Sequence, residues 1–492
     1  MPTMMRRAAA TVSTLALAMT AQPALATTLQ EALAQAYRTN PTLNAARARL
    51  RATDEGVPLA KAEGRPGVSV SGSYDQNLHR EINTALGTSI PLRSASGQAT
   101  LSLPIYQGGI VRNSIRAAKE GVEAGQAELR ATESSVFAQV VAAYLDVIAD
   151  SAVVTFNRQN VRSLEVNLQA STDRFNVGDL TRTDVAQSDT RLALARANLE
   201  SAEAQLISSK ERYISLVGSE PVDLQPPPPL PGLPATPESA VDVALRDNPD
   251  ILAAKNTRDA AHYQVNAARG QIAPRISGFV RGGYTDYLNS EKKLNPLLGV
   301  EGSAKSASAG VQLTVPLYQG GRPGALSRQA VARESQAIEQ TVATERSVIA
   351  QTRSAYANWQ ASLLTIESTR KAVASGSLSL EGVQAENKAG TRTILDILDS
   401  QRDLLNAQVQ YVSAQRNAYV AGFSLIAAMG HAEARDLSLD GGALYDPNAY
   451  YKTVRNKLFD FDFGGKATQV STGTASTKPQ DATIMPGGFG TQ

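Results

Sequence analysis

The sequence predicts a mainly α protein with a small β component, built from two tandem copies of one structural unit. Three observations predict it. Motifs recur in the same order: Asn40-Pro41 returns as Asn248-Pro249 and Pro66 as Pro274, each 208 residues on. Leu103-Pro104-Ile105-Tyr106-Gln107-Gly108-Gly109 then returns as Val315-Pro316-Leu317-Tyr318-Gln319-Gly320-Gly321, and Gly178 and Asp184 return as Gly390 and Asp396, all at an offset of 212. Such self-similarity marks a repeated supersecondary unit. Second, no Pro occurs between Gly109 and Pro221, so very long helices are open to the chain. Third, Leu192, Leu199, Leu206 and Tyr213 stand seven apart beside Ala195 and Ala202; Leu404, Tyr411, Ala418 and Leu425 do the same beside Ala407, Ala414 and Ala421. A sustained seven-residue period gives a left-handed supercoil, and alanines on its seam let backbones approach closely.

The elements follow in order. Residues 1–26 have a basic start (Arg6, Arg7), an apolar run and Ala24-Leu25-Ala26, the pattern of a cleaved signal peptide. The apolar run is too short and Ala-rich to span a bilayer comfortably. Repeat one, 27–220, opens with Thr28 and Glu31 as a capping box; Thr236-Pro237 plays that part in repeat two, 238–440. Asn40-Pro41 and Asn248-Pro249 read as an N-cap followed by proline at the first helical position. Val68-Ser69-Val70-Ser71, Ala99 to Leu103, Ile276 to Val280 and Val311 to Val315 alternate, which predicts one-sided strands. The change of offset puts four extra residues in the second strand-to-strand loop. After the Gly108-Gly109 and Gly320-Gly321 hinges, helix is expected from about 109 to 175, roughly 100 Å at 1.5 Å per residue, with turns at Gly178 and Gly390 and a second helix running back. Between the repeats, 221–237 holds eight of the 23 prolines and reads as a stiff, extended connector. The tail, 441–492, is rich in Gly, Ser, Thr and Asn without apolar periodicity, and disorder is expected there.

Composition narrows the function. Lys plus Arg is 48 against 46 Asp plus Glu; without Arg6 and Arg7 the formal charge is zero, which argues against nucleic-acid binding. There is no Cys, so thiolate metal sites, disulfides and Cys nucleophiles are excluded. Three scattered histidines (His79, His262, His431) suggest no metal cluster. No GxSxG, phosphate loop or HExxH is present, so no enzyme and no cofactor is expected.

A leader, duplicated strand pairs with long helical hairpins, Tyr-Gln-Gly-Gly at strand-to-helix junctions and Gly390-Thr-Arg-Thr-Ile-Leu-Asp-Ile-Leu-Asp399 together resemble the TolC family, outer-membrane exit ducts for type I protein secretion and drug efflux. The resemblance covers roughly 28 to 440. It implies a homotrimer in the outer membrane, each chain giving four strands to one transmembrane β-barrel and its helices to one periplasmic coiled-coil tunnel. It also implies partners: a periplasmic adaptor and an inner-membrane ABC or proton-driven transporter. Strand closure points the same way, because four strands cannot close a barrel and an open edge cannot sit in lipid. Twelve strands would leave a water-filled lumen. A periplasmic or surface coiled-coil protein that forms no channel is the other reading of the same helices.

By the same resemblance, Asp396 and Asp399 match the family's aperture aspartates, which threefold symmetry turns into six carboxylates that favour cations and raise one another's pKa values. Arg392, with Thr183 and Asp184 of the neighbouring hairpin, matches the contacts that close the tip. Asn387 stands where better-known members have a Tyr, and Gln187 stands at the Asp399-equivalent position of repeat one. From the residues alone, Asp396 and Asp399 also read as ordinary first-turn acids stabilised by a helix dipole.

Overall fold

The computed structural model describes residues 27–78, 93–290, 302–439 and 444–484; the expected signal peptide, 1–26, lies outside them. Repeat one contains α1 (Leu29–Thr39), α2 (Pro41–Asp54), α3 (Gly56–Ala62), β1 (Gly67–Gln76), β2 (Arg93–Gln107), α4 (Ile110–Asn176) and α5 (Arg182–Val217). Repeat two contains α6 (Pro237–Asp247), α7 (Pro249–Arg269), β3 (Arg275–Asp286), β4 (Ser303–Thr314), α8 (Arg322–Lys388) and α9 (Ile394–Ala428). A last helix, α10, covers Pro447–Val454. The long helices α4 and α8 have 67 residues each and stand 212 residues apart, which makes each about 100 Å long.

Local chemistry explains the duplicated boundaries. Asn40 Oδ1 accepts from the Thr42 and Leu43 amides to start α2, while its Nδ2 donates to the Leu216 carbonyl at the end of α5 (2.9 Å). Asn248 caps α7 in the same way and donates to the Ala428 carbonyl at the end of α9 (2.9 Å). One buried side chain thus satisfies orphan groups of two helices. At the strand-to-helix junctions, Gly109 (φ 78°) and Gly321 (φ 79°) stand in the left-handed region as N-caps of α4 and α8, where a side chain would be strained. A Cβ on Gly108 would collide with the Gly270 carbonyl.

The four strands form one antiparallel sheet in the order β1-β2-β3-β4. Gly67 pairs with Ser102 and Gln76 with Arg93; the equivalent pairs Arg275–Thr314 and Tyr284–Lys305 are followed by two more, Thr285–Ala304 and Asp286–Ser303. The four extra residues therefore lengthen the arms of the second hairpin, and the connections 77–92 and 287–302 are equal in length. A bulge between Pro104 and Tyr106 adds Ile105 to β2, as proline cannot donate to the ladder there.

The main core lies midway along the helices, where α1, α4, α5 and α9 bury Leu33, Phe137, Tyr144, Leu206, Tyr213, Phe423 and Leu425. Among the described residues, only α4 is long and apolar enough to cross a bilayer, and that stretch is buried by its neighbours instead. On α5 the seam keeps Leu192, Ala195, Leu206 and Tyr213; on α9 it keeps Ala407, Ala414, Ala418 and Leu425, while Leu404 and Tyr411 are half-buried. The proline connector is pinned by tyrosines: Tyr144 Oη lies 2.6 Å from the Gln225 carbonyl, Tyr419 Oη donates to Pro228 (3.0 Å) and Tyr356 Oη to Ala235 (2.8 Å).

The tail departs from the expected disorder. Its described part, 444–484, forms α10 and then lies along the helices as an extended strap. Buried Lys210 donates to the Asp481 and Thr483 carbonyls (2.8 Å each) and Arg158 to that of Ala482 (3.0 Å). Polar composition without periodicity forbids a packed core but not a strap whose carbonyls meet a buried lysine and a half-buried arginine.

Glu133 on α4 is half-buried and accepts from the Ala434 amide. Burial raises its pKa to about 7 against that hydrogen bond, with Glu433 pushing the same way. A raised folded-state pKa means that the stabilisation is complete below the ordinary value and is lost as pH rises through the folded one. Thermal melting should show Glu133→Gln close to the parent near pH 4 and more stable at pH 8, by about 1–3 kcal/mol. A pH-independent difference would contradict this.

Candidate functional site

Two regions concentrate the chemistry: the faces of the sheet and the tips of the two helical hairpins. Directly paired residues lie on one face of a sheet, so the registers sort the strands. One face carries Val68, Val70 and Tyr74 of β1, Leu101 and Leu103 of β2, Val280 and Tyr284 of β3, and Val311 and Leu313 of β4. The other carries Ser69, Ser71, Ser73, Ser96, Gln98, Thr100, Arg281, Ser306, Ser308 and Gln312. Ser73 and Ser96 hydroxyls meet at 2.9 Å across this polar face. There too the Phe279 ring lies over Gly310, and the Arg281 guanidinium stacks on it at 4.5 Å. On the apolar face Val70 is 80% and Val311 70% exposed. This is apolar-out, polar-in alternation, and among the described residues nothing covers the apolar side.

At the far end, Gly178 (φ 83°) and Gly390 (φ 79°) end α4 and α8, and the Asp179 and Thr391 amides donate back to the Arg174 and Glu386 carbonyls, as in a Schellman motif. Thr181 and Thr393 then start α5 and α9 with matching capping boxes. In each, the Thr amide and hydroxyl donate to one carboxylate oxygen, of Asp184 or Asp396, at 2.9 and 2.7 Å. Those bonds, the hydroxyl's first, hold both carboxyls below the usual range. Within one protomer the direction for Asp396 is therefore down, opposite to the rise expected from a carboxylate ring. Asp396 is a first-turn acid with one oxygen engaged by the cap and the other 3.9 Å from Arg392.

Asp399 faces a different environment. Its Oδ1 pairs with Arg191 of α5 at 2.9 Å and with Arg402 at 3.5 Å. Arg392 donates through Nε to Glu386 (2.8 Å), and its carbonyl accepts from Asn387 Nδ2 (2.8 Å). Among the described residues of one protomer, no bond joins Arg392 to Thr183 or Asp184; Asp184 serves its own cap and Thr183 is exposed. Asn387 closes the turn it stands in. Sequence reasoning missed Arg191 and Glu386. The spacing of Glu386 and Arg392 across the Gly390 turn could have suggested their pair, but Arg191–Asp399 depends on α5 meeting α9.

The tip is seated on apolar packing: Leu398 joins Val161, Leu164, Leu192 and Ala195. Gln401 bridges to Ser163 (2.7 Å) and Asn167 (3.0 Å) of α4.

Comparison with known proteins accords with this geometry. The family model described as outer membrane efflux protein matches residues 7–219 and 240–431. The outer membrane efflux protein BepC of Brucella suis is 34% identical over 90% of this chain and 93% of its own. The outer membrane protein TolC of Escherichia coli is 27% identical over 84% of each. The crystal structure of the Campylobacter jejuni CmeC outer membrane channel superposes with a TM-score of 0.73 at 17% identity, covering 87% of this chain and 89% of that one.

The capping boxes make a testable local prediction. Thr393→Ala removes the hydroxyl that both donates to and accepts from Asp396, and should cost about 0.5–2 kcal/mol of local helix stability. Hydrogen exchange over 391–398 should quicken while the tip around 179–186 is unchanged. Equal exchange in parent and variant would show that the cap carries no stability.

Proposed function

The chain belongs to the outer membrane efflux protein family, and from that premise we propose that it is the outer-membrane exit duct of a tripartite export system. Three copies pool four strands each into one barrel, and their helices form a tunnel through the periplasm. The observation that carries this reading is the sheet: among the described residues its apolar face is uncovered, its polar face suits a water-filled lumen, and β1 and β4 each lack an outer neighbour. Exposed apolar strands with open edges are an aggregation hazard in water and a barrel segment in a bilayer.

In this reading the protein performs no chemistry. Passage is powered from the inner membrane by an ABC or proton-driven transporter, joined to the duct by a periplasmic adaptor. The cargo is secreted protein or small toxic compounds, with the Tyr-Gln-Gly-Gly junctions favouring secretion. The hairpin tips form the aperture. Asp396 and Asp399 supply its negative charge, and Arg392, Asn387, Thr183 and Asp184 hold it narrow, the last two across the boundary to the next hairpin. Glu386 and Arg191 join this set, because they fix Arg392 and Asp399 within each chain.

Planar-bilayer recording of purified trimers tests the proposal. Asp399→Ala is the informative variant, because it leaves the Thr393–Asp396 cap intact. The parent should show a small cation-selective conductance, and Asp399→Ala a larger conductance with weaker selectivity. An indistinguishable variant would remove Asp399 from the aperture while leaving the duct. Folded trimers that never conduct would favour a coiled-coil structural protein.

A further inference from the structure

After α10 the chain is tied to the periplasmic end of the sheet. Lys61 Nζ donates to the Arg455 carbonyl (2.7 Å) and to Asn456 Oδ1 (3.0 Å), and Arg65 donates to the Lys457 carbonyl (2.7 Å). Arg65 stands two residues before β1 begins at Gly67, opposite Ser102. This anchorage is therefore level with the stretch of β2 that holds Leu103, Ile105 and Tyr106. Leu458-Phe459-Asp460-Phe461-Asp462-Phe463 follows, closed into a loop by Lys457 Nζ donating to Asp462 (2.6 Å). The three rings gather edge-to-face, with centroids 5.8 Å apart for Phe459–Phe461 and 6.5 Å for Phe461–Phe463. Yet Leu458, Phe459, Phe461 and Phe463 are 75, 76, 75 and 86% exposed. Three of the five exposed large apolar side chains in the described tail are thus phenylalanines gathered in one cluster.

We propose that this loop is a membrane-interface anchor. Phe459, Phe461 and Phe463 enter the headgroup–acyl boundary of the periplasmic leaflet of the outer membrane, beside phospholipid phosphates faced by Lys61 and Arg65. The proposal rests on reading the sheet as a membrane barrel. Three features select lipid as the occupant. The loop is held beside Lys61 and Arg65, just ahead of β1, at the end of the strands where they meet the helices, the level at which aromatic girdles ring such barrels. Its aromatic side chains lie beside cations, the combination that suits an interface. Of the two acids that alternate with the rings, Asp462 is paired with Lys457, and Lys61 and Arg65 retain N–H donors beyond those given to backbone carbonyls. The strap running on from Gly464 to Lys210 would then tie the helices to the membrane surface independently of the barrel.

Tryptophan fluorescence in phospholipid vesicles tests this directly. The chain has a single tryptophan, Trp359. It packs on Gly422, and at 37 residues from the start of α8 it lies roughly 55 Å down the helix, beyond the reach of lipid-borne quenchers. Phe461→Trp trimers in vesicles whose lipids carry bromine high on the acyl chain should gain a blue-shifted emission that loses roughly half its intensity or more, for a ring about 5–10 Å deep. Phe459→Trp repeats the measurement one ring away, and Tyr284→Trp on the apolar face of β3 reports the barrel itself. Quenching at 284 with water-like, acrylamide-accessible emission at 459 and 461 would overturn the anchor and leave the duct standing. Blue-shifted emission at 459 and 461 that neither bromine nor acrylamide quenches would overturn it too, and give the loop to a neighbouring copy. No quenching at 284 or at the loop would take down the barrel reading and the anchor together.

Discussion

The unpaired edges of a four-stranded sheet govern this molecule. β1 and β4 each present a row of amides and carbonyls with no strand partner among the described residues, and the apolar face beside them belongs in lipid, where no water can satisfy those groups. Only other strands can. Closure by further copies therefore precedes everything the protein does, and it dictates how the helices must stand. Gly109 and Gly321 turn the chain out of the sheet into α4 and α8 with matching backbone angles, so both hairpins leave the barrel in the same sense.

The helices carry the mark of the same constraint. α4 is buried along much of its length, from Ala117 to Ser171, whereas α8 buries only Thr341, Val348 and Thr352 and leaves Leu364 and Leu378 on its surface. The first hairpin is a platform, and α9 is fastened to it by Arg416–Asp146 (2.8 Å), by Gln401 and at the tip by Asp399–Arg191. The exposed side of α8 is open to a further copy in a trimeric ring. Inter-chain packing thus becomes a continuation of the intra-chain repeat.

Much of this was legible in the sequence because it is local or duplicated. The long helices, the caps at Thr28, Asn40 and Asn248, and the one-sided strands follow from spacing within a few residues, and the repeat offset follows from the duplication. What escaped depends on distant partners. Lys210 orders the tail 271 residues away, and Arg191 meets Asp399 across 208 residues. Asp396 shows a different limit. Its spacing from Thr393 fits a capping acid and an aperture acid equally well, and within one chain the cap is what forms. The offset change gives the four extra residues but not their place, because sequence spacing does not distinguish a longer turn from longer arms; the structure puts them in the arms.

Closure of the sheet between copies can be tested without disturbing any native bond, since the chain has no cysteine. Within one chain β1 and β4 are three strand spacings apart, about 14 Å, too far for a disulfide. Ser71→Cys on the polar face of β1 can be combined in turn with Ser306→Cys, Ser308→Cys or Gln312→Cys on that of β4, and oxidised trimers resolved on denaturing gels without reductant. The expected result is a covalent trimer in the register that brings the two strands together. Monomers in every register, or dimers that never advance to trimers, would contradict a barrel closed by three copies.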